Sequence, residues 1–203
     1  ADQQQITTFL LPVQANNHPI YNPNLDYSVY LSQPFFFVLF QVLILLTTVY
    51  TVGIEIKFRT ATDWLATAKG NMITAVLGKL LPYTFIYILI GWLGNYVMFG
   101  ILHIPFQGSW WLINMITVLF VIATQALGLF IFSLFPAVSL VISVVSMVGS
   151  LGATLSGVTF PVSNMYPLVR DASYLFPVRH FTEMIQTMLY GGGGFIYLWP
   201  SMV

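Results

Sequence analysis

The sequence has 203 residues, of which 58% are hydrophobic and 6% charged, and its formal net charge is zero. A soluble domain carries roughly a quarter charged residues, so this composition excludes an ordinary water-covered surface and predicts a membrane protein. The neutral balance argues against a nucleic-acid partner, and the absence of cysteine from the sequence excludes thiolate catalysis, disulfides and iron–sulfur clusters.

A polar stretch precedes a series of apolar segments. Residues 1–33 are rich in Asn and Pro and indicate the end of an extracytoplasmic segment. From Leu80 to Val169 there is no Asp, Glu, Lys or Arg, which leaves room for three crossings of about 20 residues each. We therefore predict an all-α polytopic membrane domain over residues 34–203. Its expected parts are spans at about 34–54, 71–102, 110–135 and 137–158, a re-entrant segment at 160–190, and a truncated last span at 195–203.

The placement of lysine and arginine predicts the orientation of the domain. Four of the six basic residues, Lys57, Arg59, Lys69 and Lys79, flank the connection between the first two spans. Basic residues favour the cytoplasmic side, so residues 53–79 are expected in the cytoplasm and residues 1–33 outside. An outside start without a visible signal sequence, together with the short final span, predicts that the sequence is a piece of a longer protein with an earlier crossing.

The connection itself, GIEIKFRTATDWLATAKG (53–70), carries five of the twelve charged residues. Thr60 and Asp63 have the spacing of a capping box, and Gly70 is placed to end a helix. Ala61, Trp64, Leu65 and Ala68 would share one face of that helix. Two interpretations stay open: an amphipathic helix at the membrane boundary that docks another protein, and a solvated connector whose positive charges only fix the topology.

A second unusual region, residues 156–194, contains three prolines and the last charges of the chain. Its spacing predicts two short helices, at about 166–174 and 177–189, each opened by a proline. In the second helix the predicted apolar face consists of Val178, Phe181, Ile185 and Met188. Both helices are too short to cross a bilayer, so we expect an extracytoplasmic re-entrant hairpin covered by protein or water.

Small residues recur every four positions in the fourth span, at Gly149, Ala153 and Gly157. This spacing allows helices to approach closely. The sequence alone fits an interface with a second subunit or a gate, and it equally fits packing within one chain.

No catalytic constellation is visible. His180 and Glu183 could face one metal ion, but a site needs at least a third ligand, so a polar helix face explains them better. No carboxylate lies in the middle of a span to carry protons or ions, and no phosphate-binding loop occurs. The chain is therefore not expected to be an enzyme or to bind a cofactor itself.

The order of these features resembles the membrane subunit of bacterial ATP-binding-cassette exporters of the second permease type. The resemblance rests on GIEIKFRTATDWL (53–65), SGVTFPVSNMYP (156–167) and LFPVRHF (175–181), and it covers residues 31–203 as spans two to six of six. The family's cytoplasmic segment often has more Arg and Glu before the Thr, and a glycine where this chain has Arg59.

The resemblance implies a separate role for each end of the domain. A nucleotide-binding ATPase subunit, which would carry ATP and Mg, would contact a coupling region of Glu55, Lys57, Arg59, Asp63, Trp64 and Leu65. An outer gate would include Pro161, Pro167, Arg170, Pro177, His180 and Glu183. The resemblance further implies a second permease copy or homologue, the bacterial cytoplasmic membrane, and room for a periplasmic adaptor.

Two other classes of function compete with an exporter subunit. One is a structural or channel-like membrane protein without an ATPase. The other is an intramembrane enzyme, against which the missing catalytic groups count.

Overall fold

The computed structural model describes residues 27–104, 106, 108–135, 137–160 and 162–190. The predicted segment up to residue 26 and the last span at 195–203 lie outside these residues. The helices are α1 (Tyr27–Lys57), α2 (Ala61–Thr67), α3 (Met72–Asn95), a π-helical segment (Tyr96–Ile101), α4 (Trp110–Leu134), α5 (Val138–Leu155), a 3-10 turn (Val162–Asn164), α6 (Pro167–Ser173) and α7 (Pro177–Tyr190). The described ranges contain no strand, so the all-α prediction is confirmed for them.

Four helical stretches of the described chain are long and apolar enough to cross a membrane: Leu31–Lys57, Met72–Ile101, Trp110–Leu134 and Val138–Leu155. They match the four predicted spans, and the protein is a multi-pass membrane protein. In a soluble protein, segments this rich in Val, Ile and Phe would favour β-strands. In hydrocarbon each N–H and C=O needs an internal partner, and a helix provides one within a single segment.

The first span departs from the prediction at its start. The sequence placed the boundary at Pro34, but α1 already begins at Tyr27 and carries Pro34 inside the helix. A proline removes one backbone hydrogen bond, which neighbouring helices make tolerable in membrane proteins. Helix α1 therefore starts seven residues before the predicted boundary, and the extracytoplasmic assignment of residues 1–33 stays a prediction.

Helix α1 is the centre of the bundle and packs against α3, α4, α5 and α7. Its fully buried side chains recur every three or four residues, as one face of a helix requires. They include Phe37, Gln41, Ile44, Thr48 and Val52. Helix α3 lies outside it and leaves Leu81, Phe85 and Leu93 exposed, as expected of a surface that faces lipid.

The connections between helices define two ends of the bundle. At the α2 end, Gly53 of α1 lies against Val138, the first residue of α5. At the α7 end, Gly108, just before α4, lies against Met188. Every charged side chain of the described chain is near one of these ends: Glu55, Lys57, Arg59, Asp63, Lys69 and Lys79 at the first, and Arg170, Asp171, Arg179 and Glu183 at the second.

A phenylalanine cluster fixes α7 to the bundle. The Phe181 ring centroid lies 3.9 Å from that of Phe37 on α1 and 4.9 Å from that of Phe120 on α4. The predicted apolar face of α7 is confirmed, since Val178, Phe181, Ile185 and Met188 are all at most 1% exposed. Burial of this face holds a helix of 14 residues, too short to span a bilayer, against three spanning helices.

Candidate functional site

The chain leaves α1 through a tight backbone motif. The Thr60 N–H donates to the Glu55 carbonyl at 2.9 Å and the Arg59 N–H to the Ile56 carbonyl at 3.3 Å, which is the Schellman pattern of a helix end. The motif needs a left-handed residue, and Arg59 has a φ of 58°. Glycine adopts this conformation most easily, so an arginine holds this position at a cost in backbone strain.

The same motif closes α2. The Gly70 N–H donates to the Leu65 carbonyl at 2.9 Å and the Lys69 N–H to the Ala66 carbonyl at 3.0 Å. Lys69 has a φ of 55° and Gly70 a φ of 81°. Gly70 therefore takes part in ending the helix as predicted, but a lysine occupies the first left-handed position. A cationic residue thus adopts the left-handed conformation at each end of the α1–α3 connection. This conformation costs about 1 kcal/mol for a non-glycine residue.

Glu55 joins three elements at this end of the bundle. Its carboxylate accepts hydrogen bonds from the Lys79 ammonium of α3 and from the Thr60 hydroxyl. The Lys79 ammonium also lies 5.3 Å from the centre of the Trp64 ring on α2, a cation–π contact. We call Glu55, Thr60, Trp64 and Lys79 the Glu55 cluster. It ties the end of α1, the short helix α2 and the first turns of α3 together.

The capping-box prediction for α2 is wrong. Thr60 is the N-cap residue, but its side chain makes no hydrogen bond to the helix. Its hydroxyl bonds to Glu55 instead, because the Schellman turn brings that carboxylate beside it. Asp63 is left exposed in the first turn of α2. There its negative charge still complements the partial positive charge of the helix N-terminus.

The side of α2 predicted to be apolar is the less exposed side of the helix. Ala61, Trp64, Leu65 and Ala68 are half-buried, whereas Thr62, Asp63, Ala66 and Thr67 are exposed. Helix α2 contacts α1 and α3. It therefore lies on the bundle with an ordered inner face and a free outer face.

The six predicted coupling residues fall into two groups. Glu55, Trp64 and Leu65 face the bundle, whereas Lys57, Arg59 and Asp63 are exposed. Lys79 belongs with the first group, although the sequence analysis used it only for topology. Its position on α3, 24 residues after Glu55, gave no local signal for the pairing.

At the opposite end, the first turn of α7 is anchored to α1. The Val178 N–H donates to the Gln41 side-chain oxygen at 2.9 Å, and Gln41 is fully buried. Sequence reasoning missed this residue, because it searched the spans for carboxylates. A glutamine in the middle of the apolar run PFFFVLFQVLILL was the available signal.

Arg179 is the most buried charge among the described residues of this end. It is 6% exposed, its guanidinium lies 3.8 Å from the Glu183 carboxylate, and it stacks 5.4 Å from the Tyr174 ring. The His180 ring nitrogen Nε2 lies 2.8 Å from the Tyr174 carbonyl oxygen. These contacts tie the first turn of α7 to the end of α6, so the two helices form one unit.

The predicted gate residues occupy both helices. Pro167 and Pro177 are the first residues of α6 and α7, as the sequence predicted. Arg170 is exposed and pairs with Asp171 at 3.8 Å. Pro161 lies outside the described residues. The positions agree with the prediction, and the gating role stays a prediction.

The three small residues predicted in the fourth span have different surroundings. A Cβ atom on Gly149 would lie 2.8 Å from a methyl group of Val42, so this glycine lets α5 approach α1 within one chain. Ala153 is half-buried against the α7-end core. Gly157 has a φ of 87° and begins the turn after α5. The interface with a second subunit stays a prediction.

A polar cluster that the sequence analysis did not identify links α3 to α4. The Asn95 amide donates to the Thr117 hydroxyl at 2.9 Å and to the Asn114 side-chain oxygen at 3.3 Å. The Trp92 indole donates to the Asn114 carbonyl at 3.2 Å. Hydrogen bonds of this kind hold membrane helices together. The π-helical segment starts directly after Asn95.

No group of three or more His, Asp or Glu side chains lies close enough within the described residues to hold a metal ion. The described residues thus form a charged end at α2 and, at the other end, a helix pair of which α7 is buried and α6 is exposed, and α1 contacts both α2 and α7.

Comparisons with known proteins agree with this description. The family model for ABC-2 family transporter proteins matches residues 1–203. The probable multidrug ABC transporter permease YbhS of Escherichia coli (strain K12) is 29% identical over 121 residues, which are 58% of this chain and 31% of that protein. The inner membrane transport permease YhhJ is 30% identical over 107 residues, 51% of this chain and 28% of the relative, both in Escherichia coli (strain K12) and in Shigella flexneri.

These matches cover less than a third of each relative. No solved structure matches the chain significantly. Because the family model spans the whole sequence, the chain belongs to the ABC-2 family of transporter proteins.

Proposed function

We propose that this chain is the membrane-spanning permease part of an ATP-driven exporter in the bacterial inner membrane. A separate ATPase subunit binds the α2 end, which faces the cytoplasm, and the α6–α7 pair forms the gate at the opposite face. The observation that carries the proposal is the Glu55 cluster, which fixes a short, outward-facing helix to two spanning helices.

Charge at the α2 end supports a docking role. Lys57, Arg59 and Lys69 are exposed and form no ion pair within the described chain. With Lys79, Glu55 and Asp63 they give this end four cations and two carboxylates, a formal charge of +2. Such a surface attracts an acidic patch on a water-facing partner and also satisfies the positive-inside rule.

The mechanism that we propose is rigid-body coupling. ATP and Mg act on the partner, and this chain supplies no reacting group. A displacement of α2 by the ATPase reaches α1 through Glu55 and α3 through Lys79, because both helices share the same ion pair. The two helices then move together against α4 and α5, as in other switching transitions of packed helices. A second permease copy would complete the path for the cargo.

The relatives support the transport class, and their names say multidrug and inner membrane transport permease. For this chain both the export of a cargo and the inner membrane location are part of the proposal. A channel or structural protein without an ATPase remains the alternative that the following experiment separates.

The test is co-purification of the chain, expressed within its full-length protein, with its candidate ATPase. One variant scrambles α2 (Ala61–Thr67), and a matched control scrambles α6, which also has seven residues and lies at the other end. We expect the α2 variant to lose ATPase capture and the α6 variant to keep it. Failure of the wild type to capture the ATPase, or equal capture by both variants, would contradict the docking assignment.

A further inference from the structure

The side chain of Gln41 lies at a junction of three helices. Its oxygen accepts the Val178 N–H of α7 at 2.9 Å. A Cβ atom built on Gly152 of α5 would lie 2.6 Å from its nitrogen, so glycine at that position makes room for the amide. The side chain is fully buried. Gln41 is therefore held between α5 and the first turn of α7.

The hydrogen bond satisfies a group that the helix cannot satisfy itself. The first N–H groups of a helix have no partner within it. Pro177 has no N–H, and the Arg179 N–H donates to the Phe176 carbonyl at 3.0 Å. The Val178 N–H is buried, and Gln41 is its acceptor. Without that acceptor the first turn of α7 would be buried with an unpaired donor, which favours its release.

Gln41 also lies on the helix that carries the Glu55 cluster. Fourteen residues of continuous α-helix separate Gln41 from Glu55, a distance of about 21 Å at 1.5 Å per residue. One turn before Gln41, Phe37 packs against Phe181 of α7. The same helix therefore contacts the proposed docking end and the proposed gate.

We propose that Gln41 is a positioning residue that holds the first turn of α7 closed against α1, and that movement of α1 breaks the Gln41–Val178 contact to release the gate. This inference rests on the proposed function. It adds the specific contact through which α1 controls the α6–α7 pair.

None of the 203 residues is a cysteine, so single-cysteine reporters can be placed among them. Thr182 lies one turn after Val178 and is 1% exposed, so Thr182→Cys reports release of that turn. Tyr166→Cys, at a position 75% exposed just before α6, reports access of the reagent. The measurement is the rate of labelling by a membrane-impermeant maleimide on intact cells and on inverted vesicles, normalised to Tyr166→Cys.

The variants separate the acceptor from the packing. Gln41→Met keeps the length of the side chain and removes the acceptor. Gln33→Met is the matched control, because Gln33 is equally buried on α1 but makes no hydrogen bond within the described chain. If Gln41→Met does not fold, Gln41→Asn is the second variant. The Asn side chain is one methylene shorter, so its oxygen lies farther from the Val178 N–H.

We expect Gln41→Met to accelerate labelling of Thr182→Cys about tenfold, since loss of one partner of a buried hydrogen bond shifts an opening equilibrium by about that factor. Gln33→Met should leave the rate near that of the wild type. In the complex with the ATPase, Mg·ATP should accelerate labelling in the wild type and have no further effect in Gln41→Met.

An unchanged rate in Gln41→Met, or the same acceleration in Gln33→Met, would overturn the proposal. Labelling that rises in Gln41→Met but does not respond to Mg·ATP in the wild type would reduce Gln41 to a static packing residue. The two proposals fail separately: loss of ATPase capture refutes docking at α2, whereas the labelling rates without ATP test the Gln41 contact alone.

Discussion

The Lys79 ammonium of α3 is paired with the Glu55 carboxylate at the end of α1, and the Trp64 ring of α2 covers the same ammonium. Two charges that lie 24 residues apart thus meet at the edge of the apolar bundle. An unpaired charge at such an edge is more costly than one in water, so each partner depends on the other.

This pairing predicts that Glu55→Gln and Lys79→Met each lower the melting temperature of the detergent-solubilised protein, because each leaves one charge without its partner. The exchanged pair, Glu55→Lys with Lys79→Glu, should recover part of the loss, since it restores the ion pair but not the cation–π contact with Trp64. Tryptophan fluorescence during heating measures the transition. Lys57→Met is the control, since Lys57 is exposed and forms no ion pair in the described ranges. Single variants that melt like the wild type would refute the pairing.

The left-handed backbone of Arg59 predicts that a glycine variant at this position is more stable than a valine variant. Arg59→Gly should raise the free energy of unfolding by about 1 kcal/mol relative to Arg59→Val, because glycine adopts a positive φ without strain and a β-branched residue does not. Both substitutions remove the same charge, so their difference isolates the backbone. Denaturant unfolding in mild detergent would measure it. A valine variant as stable as the glycine variant would contradict the left-handed assignment.

Two glycines of α3 differ in the space around them, so their alanine variants can be compared directly. A Cβ atom on Gly91 would lie 2.5 Å from the Thr117 methyl group, whereas one on Gly78 would meet no atom within 4 Å. Gly91→Ala should therefore destabilise the protein by about 1–3 kcal/mol through overpacking, and Gly78→Ala should not. The same thermal assay compares them. Equal effects would mean that α3 does not approach α4 as closely as described.

Helix α5 can be cross-linked to α1. A Cβ atom on Gly149 would lie 3.5 Å from the Cβ of Val42, within the range of a disulfide. We expect Val42→Cys with Gly149→Cys to form a bond within one chain under oxidation, seen as faster migration of the monomer on a non-reducing gel. Val42→Cys with Gly78→Cys is the control and should not react. A cross-linked dimer instead would assign Gly149 to an interface between two copies.

Much of the fold followed from residue patterns with one strong physical cause. Apolar runs of 18 residues or more predicted the four spans, and the apolar spacing of Val178, Phe181, Ile185 and Met188 predicted both α7 and its buried face. These patterns work because each segment must satisfy its backbone locally and bury one stripe of side chains, whatever its neighbours are.

The parts that the sequence did not reveal depend on contacts between distant residues. Lys79 pairs with Glu55, and Gln41 accepts from Val178, 137 residues later. Thr60 could bond to α2 or to Glu55, and only the turn at Arg59 decides between them. A local pattern such as the capping box contains no information about which competing partner the fold brings near.

The Asn95–Thr117 hydrogen bond has a consequence for biogenesis. A lone α3 would carry the Asn95 amide into hydrocarbon without a partner, which costs several kcal/mol for each unsatisfied group. Thr117 lies on α4, the next helix to be synthesised, and the two helices are joined by a short connection. The chain up to Thr117 must therefore reach the bilayer before Asn95 gains this partner, so we expect α3 to be more stable in the membrane when α4 follows it.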